Sequence, residues 1–133
     1  MAIEVNPTDE EMSELHDELK AYEIQLATYL SSSDAANDPN YAVLTKADIQ
    51  LNLLIYNLSV QQLEIAGDNA GAAVDAINGA ISNLKVVIAT KNNIAKNLGI
   101  AQSAVSFVTA LLSGNASTIV SAGSDFINKV KTA

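Results

Sequence analysis

LTKADIQLNLLIYNLSVQQLEI, residues 44–65, decides the fold because it carries two apolar seams instead of one. Leu44, Ala47, Leu51, Leu54, Leu58 and Ile65 recur at the three- and four-residue steps that line up one face of an α-helix. Ile49, Leu53, Tyr56, Val60 and Leu63 do the same. At about 100° per residue the second seam points to nearly the opposite side from the first. Exposing either face to water would leave several large side chains wet, so the spacing predicts a central helix with neighbours on both sides. The competing expectation makes the second seam, Ile49, Leu53, Tyr56, Val60 and Leu63, an interface for a protein partner or for another copy of the chain. Narrow polar stripes separate the seams, with Lys46, Gln50, Asn57, Gln61 and Glu64 on one edge and Asp48, Asn52 and Ser59 on the other.

Upstream, Asn-Pro-Thr-Asp-Glu-Glu at 6–11 offers two helix starts, Asn6 before Pro7 or a capping box of Thr8 with Glu11. Met12, Leu15, Leu19, Tyr22, Leu26 and Tyr29 follow as a single seam, with Glu10, Glu14, Asp17, Glu18 and Gln25 on the far side. This is a one-faced helix ending near Leu30. The polar run 31–40 reads as an exposed, mobile connector, and Asp38-Pro39 restarts the helix.

Downstream, Gly67 suits the left-handed position that closes a helix, and a third helix begins near Asn69. Its stripe is Val74, Ile77, Ile81, Leu84, Ile88 and Ala95, and the small residues of its first half, Gly71 and Gly79 among them, favour close backbone approach to a neighbour. At Gly99 the apolar face turns by more than 100°, which predicts a break at Asn97-Leu98-Gly99. Ser113-Gly114-Asn115 is a turn, with Asn115 capping a last helix that ends in Lys129 and Lys131. The expected fold is all-α: three long helices over about 8–30, 40–66 and 69–97 in an antiparallel bundle, closed by a shorter C-terminal hairpin over about 100–113 and 116–131.

The 133 residues fit one domain, and a chain this long buries enough surface for a core without staples. There is no cysteine, which agrees with a reducing compartment and equally with export by a route that needs no signal peptide. Residues 1–11 are acidic and lack a basic n-region and an apolar h-region, so no secretory leader is expected there. The net charge of −8 is unevenly spread: residues 1–23 carry −7, residues 24–68 carry −4 and residues 69–133 carry +3. That asymmetry predicts that the first helix lies against the third. All seven basic residues are lysine, so the planar fork that grips phosphate is missing and nucleic acid is not an expected partner.

No catalytic constellation stands out, so the chain is expected to be no enzyme and to need no metal, cofactor or small-molecule substrate. His16, the single histidine, has Met12, Ser13, Leu19 and Lys20 as its same-face neighbours, none of them a metal ligand of the Glu-x-x-His or His-Glu-x-x-His type. Gly67–Ala73 resembles a phosphate loop in composition alone and lacks Gly-Lys-Ser/Thr. The alternative function rests on residues 97–124, a run of 28 positions without a charge. It is too interrupted to span a bilayer as one helix, but a hairpin presenting Ile100, Phe107, Val108, Leu111, Leu112, Ile119 and Val120 could be stored in a bundle and released into lipid. The leading expectation is helix-face docking on a protein partner or on a second copy.

Overall fold

A computed structural model of the chain describes residues 7–61, 64–67, 70–90 and 94–132. It is an all-α bundle of five helices, α1 (Asp9–Leu30), α2 (Tyr41–Val60), α3 (Ala70–Thr90), α4 (Leu98–Ser113) and α5 (Ala116–Lys131). Of the two starts offered for α1, the capping box is used: the Glu11 N–H donates to Thr8 Oγ1 at 3.1 Å and the Thr8 N–H donates to Glu11 Oε1 at 2.8 Å. Reciprocal bonding satisfies two amides that a helix start would otherwise leave bare. The Thr8 amide, joined by the Asn78 side chain, also holds the Glu11 carboxyl below its usual range.

Segment 31–40 is more ordered than its composition suggests. Residues Ala35–Asn37 form a 3-10 turn, Ala35 is buried, and the Asp38 carboxylate accepts from Tyr29 Oη at 2.5 Å and from the Asn40 N–H at 2.8 Å. One acidic side chain thus ties the end of α1 to the start of α2. That bond to Asp38 pushes the Tyr29 hydroxyl up to about 12.

Helix α2 stops at Val60, well short of Ala66. Gln61 is extended, and Ala66 forms a parallel bridge to the α4–α5 turn: its N–H donates to the Gly114 carbonyl at 2.9 Å and its carbonyl accepts from the Ala116 N–H at 3.1 Å. These bonds replace the intrahelical ones that another helical turn would have made. Gly67 is left-handed as expected, at φ 125°, but it follows this bridge instead of closing α2.

The break near Gly99 is real, with a different cause from the one expected. Ile94–Lys96 form a 3-10 turn, and Asn97 starts α4 by accepting the Ile100 N–H on Oδ1 at 3.1 Å, so Gly99 lies inside the first turn of the new helix. The last turn and cap are as read: Gly114 is left-handed at φ 70°, and Asn115 Oδ1 accepts from the Thr118 N–H at 3.1 Å.

Side-chain links fix the directions. Lys20 reaches Asn52, and Tyr29 reaches Asp38 just before α2, so α1 and α2 are antiparallel. Asn78 donates to Glu11 at 2.6 Å and Lys85 pairs with Glu14 at 3.1 Å, so α1 and α3 run the same way and the acidic front does lie against α3. Phe107 of α4 stacks on Phe126 of α5, ring centroids 5.5 Å apart. Around the bundle the principal contacts follow the order α1, α2, α4, α5, α3 and back to α1. Successive helices α2 and α3 are therefore not principal neighbours, and residues 64–67 between them lie against the α4–α5 turn.

The expectation that α2 sits in the centre fails. Its first seam, Leu44, Ala47, Leu51, Ile55 and Leu58, is buried against α1 and α4, with Ile55 in the place expected of Leu54, which is half-buried. Its second seam faces outward. The deepest helix is the uncharged α4, which buries Ile100, Ala101, Ser103, Ala104, Phe107, Val108, Ala110 and Leu111. A helix with no charge to solvate can be covered on several sides, whereas α2 carries Lys46 and Asp48 and keeps one side in water.

Candidate docking face on the second helix

On α2, positions separated by four, three and four residues share one face. Ile49 is 65% exposed, Leu53 61%, Tyr56 63% and Val60 67%, while Leu44 and Leu51 on the inner face are fully buried. Leu63 of the same seam lies outside the described residues. Tyr41 and Val43, at the start of the helix, are also exposed. Scattered apolar side chains on a surface are ordinary, whereas these four share one face of a single helix.

Uncharged polar side chains flank the middle of the stripe, and Lys46 stands exposed at its N-terminal end. Gln50 and Asn57 lie on the side of α4, where Val43, Lys46, Gln50, Gln102 and Val105 line a shallow groove. Asn52 and Ser59 lie on the side of α1, where Lys20 Nζ donates to Asn52 Oδ1 at 3.2 Å.

Behind the α1 rim lies a group of polar side chains that the apolar pattern hid. Glu23 is almost wholly buried, accepts from Lys20 Nζ at 2.8 Å and shares a hydrogen bond with the Asp48 carboxyl. Tyr22 Oη, Thr45 Oγ1 and Asp48 Oδ1 are buried there without a partner. Burial, followed by the bond to and charge of Glu23, pushes the Asp48 carboxyl up to about 7. Burial also works to raise Glu23, but the bonds from Asp48 and Lys20 outweigh it and hold Glu23 below the ordinary range. Burial, then the Asp48 charge, raises the Tyr22 hydroxyl. The pair therefore holds one proton between two carboxyls near neutrality, on Asp48 and shared toward Glu23. A signal was available: Glu23 falls four residues after Leu19 and three before Leu26, on the buried edge of the α1 seam.

The hairpin residues named from sequence come together in the core. Ile100, Phe107, Val108, Leu111 and Ile119 are fully buried, and Leu112 and Val120 are half-buried against the same cluster. Among the described residues one helix, over Ala70–Ala89 in α3, is long and apolar enough to cross a membrane, although it carries Asp75 and Lys85. No group of three or more metal-ligating side chains occurs among the described residues, and His16 Nδ1 lies 3.7 Å from Asp17.

No protein-family model, curated protein or solved structure matches the chain.

Proposed function

We propose that the protein is a non-enzymatic interaction module that docks a helix on the outward face of α2. The observation that carries this is the contrast within one helix: Ile49, Leu53, Tyr56 and Val60 are each more than three-fifths exposed while the opposite seam is closed. Fully burying a side chain of this kind is worth roughly 1.5–3 kcal/mol, and α2 forgoes that gain four times in the isolated chain. A helix laid along the stripe recovers it, with the uncharged amides and hydroxyl of the rims available to the partner backbone and side chains.

The test is a double substitution, Leu53→Glu with Val60→Glu. Because both side chains point to solvent, the variant is expected to keep its helical circular dichroism and to change stability by no more than about 0.5 kcal/mol per site. It is expected to lose whatever association the wild-type chain shows in light scattering and in cross-linking. Unfolding of the variant would show that the seam belongs to the core, and undiminished association would move the interface elsewhere.

A further inference from the structure

We infer that the occupant of this face is a second copy of the same chain, its α2 laid antiparallel across a two-fold axis that passes between Leu54 and Ile55. This rests on the docking role proposed above and adds the partner and its register.

The exposed seam is its own mirror in size and spacing. Turned end for end about a point between Leu54 and Ile55, Ile49 falls opposite Val60 of the second copy and Leu53 opposite Tyr56 of the second copy, so every apolar layer is filled twice over by symmetry. The polar rims match under the same operation. Gln50 meets Asn57 of the second copy on the α4 side, and Asn52 meets Ser59 of the second copy on the α1 side. All four are uncharged hydrogen-bonding side chains, so in a chain of net charge −8 these four rim positions set no carboxylate against a carboxylate of the second copy.

Charge placement selects antiparallel over parallel pairing. The first step back from Ile49 along this face is Lys46, which is exposed. Parallel pairing sets Lys46 against Lys46 of the second copy. In the antiparallel arrangement each Lys46 lies just past the end of the other α2, where the last carbonyls carry the negative end of the helix dipole. The acidic α1 helices sit on the same side of the axis in the two copies, set back from the contact. Their repulsion is long-range and screened by salt, whereas the apolar contact is not. Added salt is therefore expected to strengthen the pairing.

The chain has no cysteine, so single-cysteine variants report the register directly. Wild-type protein at high micromolar concentration is expected to show twice its 13.9 kDa mass, more completely at high than at low salt, and Leu53→Glu with Val60→Glu is expected to weaken the dimer at least roughly tenfold while staying folded. An equimolar mixture of Gln50→Cys and Asn57→Cys chains is expected to give the mixed disulfide dimer. A mixture of Asn52→Cys and Asn57→Cys chains, the pair that parallel helices would bring together, is expected to give little. The reverse preference overturns the antiparallel register while keeping the second copy as partner. A wild-type chain that stays monomeric at both salt concentrations overturns the self-pairing; if it then retains from cell extract a protein that the double variant does not, helix docking itself survives, and if it retains none, both fail.

Discussion

Asp48 and Glu23 are where single side chains most strongly tie stability to solution conditions. In the folded chain Asp48 keeps its proton up to about pH 7, whereas in the unfolded chain it has released it by roughly pH 4, so its contribution favours folding at the acid end of that window and is lost as pH rises through 7. Glu23, Glu11 and Asp38, held below their ordinary range, act in the opposite sense, and their contributions disappear in acid. Stability is expected to peak in the mildly acidic range. Asp48→Asn keeps a donor for Glu23 and removes the charge, and after allowing for the partial exposure of Asp48 it is expected to raise stability by about 1–2 kcal/mol at pH 8 and hardly at all at pH 5. Urea denaturation at the two pH values measures this, and an equal gain at both would show that the two carboxyls do not share a proton. Two glycines offer a second contrast. A Cβ at Gly71 meets nothing within 4 Å, and one at Gly123 meets Ala76 Cβ at 3.0 Å and Phe107 Cε1 at 3.1 Å. Gly71→Ala should therefore gain up to about 1 kcal/mol from helix propensity, and Gly123→Ala should cost about 1–3 kcal/mol from overpacking, both read from thermal melts.

Among the elements, α1 shows how a charged helix is held by its apolar side. Leu15, Leu19, Tyr22 and Leu26 are fully buried and Met12 packs against the core from the edge, while the pair of Glu14 with Lys85 is half exposed on each partner. Lys96 lies over the Tyr29 ring of α1, 5.5 Å from its centroid. An exposed pair is worth at most about 1 kcal/mol, and a buried leucine truncated to alanine costs about 2–5 kcal/mol. Leu19→Ala is thus expected to cost several times more than Glu14→Gln in chemical denaturation, and salt should reduce only the latter effect. Comparable costs would mean that charge, not packing, docks α1. For α2 the same reasoning runs outward, since Ile49, Leu53, Tyr56 and Val60 are mostly exposed in the isolated chain, which is what motivates the proposed partner.

For the whole molecule the ring of five helices turns the apolar face of the uncharged 97–124 segment into the core and leaves polar residues such as Gln102, Ser106 and Thr109 exposed. Inserting that hairpin into lipid would first expose Phe107, Phe126 and the leucines packed around them, at the cost of most of the core. The folded protein at neutral pH is accordingly expected to release no dye from neutral or anionic liposomes. Leakage that a charge at Val108 abolished without unfolding the chain would reverse that expectation and revive the membrane function.

What the sequence determined by itself is local: five helices of the right type and order, the cap at Asn115, the turn at Gly114, the chain break ahead of α4, and the apolar stripes of α1 and α3. Those features depend on hydrogen bonds and side-chain spacings within a turn or two, which residues close in sequence dictate. Only the tertiary structure decided which apolar face is covered. Two equally apolar seams on α2 are indistinguishable along the chain, and the choice between them follows from which one α1 and α4 pack against. The early end of α2 and the buried Glu23–Asp48 pair have the same origin. Both depend on contacts between segments far apart in sequence, the Ala66 bridge to Gly114 in one case and the packing of α1 on α2 in the other; local spacing puts Glu23 on the buried edge of α1 but does not encode its pairing with Asp48.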